Sequence, residues 1–463
     1  LRPGEHLVVA WDREILAAMR PGLRVAGNFE GRLSHRSDRI LLLDAAGNPA
    51  DEVRYHDGGR WPELADGEGA SLELRDPRAD NSRAEAWAAS DESARSAWQS
   101  YTYSGIAAQK VGPSRWQELV LGLMDAGEVL LDDLSVVDSP DGAATEILQN
   151  GDFEEGAAHW RLIGNHRHSR VVEDPDAPSN HVLHVVATGP TEHMHNHAET
   201  TLAPGVRLVD SKVYQVSFRA RWLAGCNRLN TRLYFNRVPR TTLLDAPALA
   251  GTPGAVNSTL VENLGPTYGA FGHEPTIPAA AEEVKVAALV DDADGVAACT
   301  LWWSVNGGAW TSAPMALVGQ RYAGVVPGQA SGTTVHFYVE AMDGRGAAST
   351  FPARGPDSRA LFKVESGQTG SALVHNLRLL LTPQDADYLD VDTNAMSNDY
   401  LGSTVVYRES EAFYDVGIHL RGSERGRPIP GRRSFSLRFQ ADRPFRGVHR
   451  TVGLLFRVGK RLQ

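Results

Sequence analysis

Along most of this chain apolar and polar residues alternate in short runs separated by turn residues. Val335-His336-Phe337-Tyr338-Val339-Glu340 and Asp51-Glu52-Val53-Arg54-Tyr55 put apolar side chains on one face and polar ones mainly on the other. That period of two marks a half-buried strand. Further short runs rich in strand formers lie at 40–43, 213–223, 284–290 and 301–305. Helical spacing is confined to 12–19 and 383–389, each opened by an acidic or proline start signal. Ala45-Ala46-Gly47-Asn48 and Asn306-Gly307-Gly308 carry hairpin-turn chemistry. The pattern predicts a mainly β chain built of β-sandwiches in tandem.

With 463 residues, the chain exceeds what one core organises, so several domains are expected. Apolar residues at 42% and charged residues at 22% exclude a disordered chain. No apolar run approaches the roughly twenty residues of a transmembrane segment. Forty-six basic residues against 57 acidic ones give −11, which argues against nucleic acid as a general partner. Cys226 and Cys299 are the two cysteines and form no CxxC, so a disulfide framework and a cysteine zinc site are both ruled out. The chain opens at Leu1 without an initiator Met or signal core and stops in a basic stretch, so it reads as a piece of a longer protein.

Four segments resemble known families. Residues 1–92, with "VAGNFEGRLSHRSDRILLLDAAGNPADEVRYHD", Trp61-Pro62, Gly67, Gly69 and 71–74, resemble the lamin-tail domain, an immunoglobulin-like sandwich, with its opening strand missing. Residues 93–245 resemble a galactose-binding-like jelly roll of the carbohydrate-binding-module type. "ILQNGDFEEGAAHW" (147–160) is similar to its opening strand and "VYQVSFRARWL" to a central one. Its closing strand, "GEVLLDDLSVV" (127–137), stands before the opening one, which implies one sandwich in permuted order with 129–137 beside 147–153. Residues 246–273 read as a linker. Residues 274–365, through "VHFYVEAMDGRGAAS", resemble fibronectin type III and related Ig-like domains. From 371 to 463, "DVGIHLRGS", "RSFSLRF" and "FRG" resemble the amino-terminal part of the CotH spore-coat kinase family, an atypical kinase-like α+β domain.

The charge distribution bears on that last segment. Residues 419–463 hold twelve basic residues against Glu424 and Asp442, or +10, whereas the preceding 418 carry 34 basic and 55 acidic, or −21. A local basic cluster on an acidic chain is a site for anions. Arg421, Ser423, Arg425 and Arg438 are placed to cradle nucleotide phosphates, guanidinium matching phosphate oxygens in pairs. A solvated basic strand pair is the alternative. Phosphoryl transfer also needs carboxylates for magnesium and for the acceptor hydroxyl. The CotH resemblance places these beyond Gln463, so ATP and Mg²⁺ belong to a complete parent protein and no catalytic residue is assigned. No HRD, DFG, GxxxxGK[ST] or GxSxG motif occurs.

Half of the 16 histidines lie between His159 and His197. On a strand His193, His195 and His197 share one face, a spacing open to Zn or Cu. The jelly-roll resemblance implies a structural Ca²⁺ held by Glu154 with Asp132 or Asp133, hard oxygen ligands. Asp390–Asn394 begins like an EF-hand loop, but Ala395 replaces its glycine and Leu401 its final glutamate. Asp291-Asp292-Ala293-Asp294-Gly295 is most simply a turn. Sugar recognition would use Trp98, Tyr101, Trp116, Trp222 or Tyr234 with Arg232. The expectation is a piece of an extracellular or cell-surface bacterial protein whose partners are glycans or surface proteins. In one version its parent is a protein kinase of coat proteins; in the other it is a non-catalytic adhesion scaffold.

Overall fold

The computed structural model describes residues 2, 4–67, 69–108, 116–192, 195–234, 236–365, 375–423, 427 and 433–455. Strands dominate it, and two of its three α-helices are those with sequence start signals. Over residues 1–92, where two facing layers are expected, the strands form three two-stranded sheets. β1 (Val8–Ala10) pairs in parallel with β2 (Val25–Gly27) across helix α1 (Arg13–Met19), whose Asp12 cap accepts the N–H groups of Glu14 and Ile15. β3 (Ser37–Leu43) and β4 (Pro49–His56) are a hairpin, and β5 (Leu72–Leu74) pairs with β6 (Trp87–Ala89). Ile40, Leu42 and Leu43 remain 45, 62 and 50% exposed, so this hairpin covers little apolar surface.

Carboxylates organise the second half of that segment. Glu73 is buried and accepts the hydroxyls of Thr252 at 2.6 Å and Ser258 at 2.7 Å. Buried Glu92 accepts the Gly251 N–H at 2.8 Å, and Asp76 the Leu264 N–H at 3.1 Å. The stretch read as a linker therefore lies along residues 71–92, and from Thr267 it is already strand.

Residues 99–244 form one sandwich. Its strands are β7 (Gln99–Ile106), β8 (Glu118–Leu123), β9 (Gly127–Asp138), β10 (Thr145–Glu146), β11 (Trp160–Ile163), β12 (Arg170–Asp174), β13 (Ala177–Ala187), β14 (His197–Thr201), β15 (Val213–Gly225), β16 (Arg228–Leu233) and β17 (Arg237–Leu243). One sheet runs β12-β13-β9-β15-β7 with β10 added to β9, and the other runs β11-β14-β8-β16-β17. A single core from Ala107 to Leu244 lies between them, with Leu121, Leu131, Leu183 and Tyr214 fully buried. Glu146 pairs with Val137, the Ile147 N–H donates to Val136 O at 2.9 Å, and Leu134 N–H to Gly151 O at 2.9 Å. Residues 134–137 thus lie beside 146–151 in this sandwich.

The next sandwich contains β18 (Thr267–Glu274), β19 (Val284–Asp291), β20 (Val296–Val305), β21 (Trp310–Pro314), β22 (Ala316–Val318), β23 (Arg321–Val326), β24 (Thr334–Asp343), β25 (Ala348–Phe351) and β26 (Leu361–Lys363). Its sheets are β18-β19-β23-β22 and β21-β20-β24-β25, with β26 on β24, around Val286, Leu301, Phe337 and Phe362. Asn306-Gly307 turns β20 into β21 with positive φ at both positions.

The terminal sheet is antiparallel and five-stranded. β27 (Leu377–Leu380) leads through α2 (Pro383–Leu389) and α3 (Asp392–Ala395) to β28 (Leu401–Tyr407), β29 (Glu411–Arg421), β30 (Ser434–Arg438) and β31 (Thr451–Leu454), paired in that order. Val405, Ile418, Leu437 and Phe439 form its core with α2. Tyr414 of β29 packs into the preceding sandwich, 5.2 Å from Phe271, and its hydroxyl bonds His273 Nδ1 at 2.6 Å.

Candidate functional site

Alternation along the second jelly-roll sheet sends Leu119, Leu121, Leu123, Leu229, Thr231 and Leu233 into the core. The intervening residues take the opposite face. Register then lines up Arg161, Glu199, Val120 and Arg232 across four strands. Sheet pairing, not proximity in sequence, assembles this row.

The row is a hydrogen-bonded network. Arg161 donates to Glu199 at 2.6 Å, Glu118 at 2.8 Å and Thr201 Oγ1 at 3.1 Å. His197 Nε2 faces Glu199 Oε2 at 3.0 Å. Arg232 donates to Asn230 Oδ1 at 2.7 Å and to Glu192 O at 2.9 Å. Burial alone would raise the Glu199 pKa, but the bonds from His197 and Arg161 overcome it and hold the carboxyl at about 2. Glu118 goes the other way, raised by burial and by Glu199. Two carboxylates on one face are therefore pushed apart in acidity, Glu199 held as a charged acceptor and Glu118 shifted upward from the ordinary carboxylate value. Tyr234, whose N–H donates to Glu118 O, and Trp116, 57% exposed, stand at the Glu118 end of the sheet.

The other end is closed by a loop. A Cβ at Gly122 would come within 2.7 Å of His166 Nε2 and Thr191 Cβ, so glycine there admits the loop over β8. His166 is fully buried; its Nε2 accepts the Leu123 N–H at 3.0 Å and its Nδ1 bonds Asn165 Oδ1 at 2.6 Å. Those partners require a neutral ring with the proton on Nδ1, and burial takes its pKa down to about 3. Beyond the loop, Asp399 before β28 accepts from Arg167 at 2.5 Å and Thr188 at 2.7 Å, joining the terminal sheet to the sandwich.

Other sequence candidates are dispersed. Trp222 is buried with Nε1 on Gly225 O, Tyr101 stacks on Phe218 at 5.4 Å, and Trp98 lies under Arg219 at 4.8 Å, all associated with the other sheet. Asp132 is buried and accepts from Asn180 at 3.0 Å; Asp133 Oδ2 lies 3.3 Å from Arg219. Glu154 holds the His181 N–H at 2.7 Å and its ring at 3.0 Å. Each acid of the implied calcium set therefore has a local partner. His193 lies outside the described residues, His195 is in a turn and His197 belongs to the polar row. The described residues contain one cluster of acids or histidines close enough for a shared ion, Asp292, Asp294 and Asp343. Arg78 pairs with Asp294 there at 2.9 Å.

The basic candidates also separate. Arg438 pairs with Glu63 and lies 5.8 Å over Tyr400, so a guanidinium assigned to phosphate is held by the first segment. Arg450 bonds Asp57 and Arg60 bonds Asp442, so three ion pairs clamp residues 57–63 to the terminal sheet. Gly59 makes the approach possible, since a Cβ there would be 2.6 Å from Ala441 N. Arg421 ends β29 over Gly453 and Ser423 is exposed, while Arg425 lies outside the described residues. Sequence reading missed Glu118, Arg161 and Asn230 as site residues; the available signal was the alternation of Arg228, Asn230 and Arg232 along β16, and the strands of Glu118 and Arg161 carry no such pattern.

No family model matches the chain, and neither does any curated protein. Among solved structures, BhCBM56 in its Br derivative aligns at 16% identity and TM-score 0.14, over 17% of this chain and 80% of that one. The mouse nectin-like molecule 4 ectodomain (Ig1–Ig3) aligns at 10% identity and TM-score 0.16, over 55% and 97%. A 1.5-MDa bacterial ice-binding adhesin aligns at 9% identity and TM-score 0.16, over 76% and 88%. Likenesses this weak leave the functional argument to the geometry. Among the described residues no helix is long and apolar enough to cross a membrane.

Proposed function

We propose that this chain is a binding and scaffolding part of an extracellular or cell-surface protein, and that the outer face of the β11-β14-β8-β16-β17 sheet takes a glycan. The supporting observation is the Arg161–Glu199–Arg232 row beside Trp116 and Tyr234. Sugars are bound by planar side chains against their C–H faces and by fixed donors and acceptors reaching hydroxyls. Arg161 and Arg232 are held in place by their own partners, so little side-chain entropy is lost on binding. A glycan array with the full chain tests the reading. Binding to neutral or acidic glycans that Trp116→Ala and Arg232→Ala weaken supports it; a blank array, or hits indifferent to both changes, refutes it.

The terminal sheet supports a second reading, as the first part of a CotH-like kinase lobe in a longer parent. Favouring it are the antiparallel five-stranded sheet and Arg421, which has no hydrogen-bond or ion-pair partner among the described residues while lying beside exposed Ser423. Without the acids that hold magnesium, this chain is expected to show no ATP binding by calorimetric titration. Micromolar ATP binding would contradict that placement of the missing machinery.

A further inference from the structure

Two members of the polar row on the jelly-roll face, Arg232 and His197, depend on one peptide oxygen. Glu192 O accepts from Arg232 at 2.9 Å and lies 3.1 Å from His197 Nδ1, while His197 Nε2 faces Glu199. A carbonyl has two lone pairs, and these two donors take both. Arg232 and His197 are buried, so each relies on that oxygen rather than on water. The position of Glu192 therefore sets the geometry of this half of the row. The other half is closed within the sandwich, since Arg161 spends its guanidinium on Glu199, Glu118 and Thr201.

Glu192 is held from outside the sandwich. Its backbone bridges antiparallel to Asn196, the Glu192 N–H donating to Asn196 O at 3.1 Å. Asn196 is fully buried and its amide is spent across the seam with the segment that enters β28. Its Oδ1 accepts the Asn165 N–H at 3.2 Å and the Asn398 N–H at 2.9 Å, and its Nδ2 donates to Met396 O at 3.1 Å. The Glu192 carboxylate accepts from Asn398 Nδ2 at 2.8 Å, 206 positions away, and from Asn196 Nδ2 at 3.4 Å. Arg427 donates to Asn398 Oδ1 at 3.0 Å, which leaves the Asn398 amide one orientation. One residue on, Asp399 accepts from Arg167 and Thr188, so the seam is tied on both sides of Asn398.

We propose that the terminal sheet sets the glycan affinity of the jelly-roll face, with Asn398 a positioning residue that acts through Glu192 on Arg232 and His197. This inference rests on the glycan reading of that face. Coupling between two sites is reciprocal, so a bound glycan also tightens the seam.

The test uses the full chain and the array oligosaccharide whose binding Trp116→Ala weakens. Calorimetric titration into Asn398→Ala is expected to give an affinity about fivefold below wild type. In wild type, saturation with the same oligosaccharide should slow exchange of the Asn398 amide by about the same factor. In the ligand-free variant the ¹⁵N resonances of the His197 ring should move, and the Arg161 Nε resonance should move less. A change of stability without repositioning leaves the His197 ring where it is. Thermal melts identify a variant that has lost its fold. In that case Asn398→Asp decides, since it keeps the volume and the backbone donor but sets a second carboxylate against Glu192. Equal affinity in wild type and the folded variant, or unmoved His197 resonances, overturns the coupling and leaves the glycan reading standing. A blank array removes both.

Discussion

The jelly roll and the body formed by residues 71–92 with 246–264 are held together by opposite means. The first buries a continuous apolar core between two sheets, Leu119, Leu121, Leu123, Leu229 and Leu233 on one side facing Leu131, Leu183 and Phe218 on the other. The second has a two-stranded sheet and draws a passing segment onto it through Glu73, Asp76 and Glu92. Apolar contacts are non-directional and add up with area, so the sandwich tolerates a polar outer face. A buried carboxylate is stable only while its donors stay in place, so that body depends on a few hydroxyls and N–H groups. The face that can be given over to a ligand is therefore on the sandwich.

The contrast can be broken by mutation. Leu121→Ala should cost about 3–5 kcal/mol, the transfer term plus a cavity, read from urea unfolding. Glu73→Ala should cost about 2–3 kcal/mol. Its effect should be local, with amide exchange accelerating across 251–264 but not across 119–123. Equal acceleration in both would make the two regions one cooperative unit.

Acid sharpens the comparison. His166 is held at about 3, and His273 and His336 at about 4, in each case chiefly by burial. The unfolded chain takes up these protons near the ordinary histidine value of about 6.5 and the folded one does not. Stability is then fully present above about pH 6.5 and is lost on going down toward pH 4, at about 1.4 kcal/mol per pH unit for each histidine. Urea midpoints at pH 7 and 5 should fall accordingly, and His166→Gln should flatten the slope. The smallest effect concerns the clamp of Arg60, Arg438 and Arg450, partly exposed pairs worth about 1 kcal/mol or less each. Molar salt should raise exchange at 57–63 while leaving the β8 amides unchanged.

Much of this was legible locally. Period-two runs fall in strands such as Thr334–Asp343 and Pro49–His56, Asp12 and Thr382 cap the helices that begin beside them, and Asn306-Gly307 makes its hairpin. What could not be read is which distant residues meet. Arg161, Glu199 and Arg232 come together through the register of four strands. Glu73 captures donors some 180 positions away, and Arg438 finds Glu63 across 375. Such pairings leave no periodic signal, because a polar residue suited to a distant partner looks the same as one suited to water. The phosphate reading of Arg438 failed to foresee Glu63 for that reason.

Isothermal titration of the strongest oligosaccharide from the array into wild-type and Glu199→Gln chains tests the sheet-face claim most directly. Glu199 anchors Arg161 and His197, so its neutralisation should weaken binding about tenfold and also lower the melting temperature, because the folded state favours its charged form. An affinity identical in the two chains would show that the polar row is structural and the ligand face lies elsewhere.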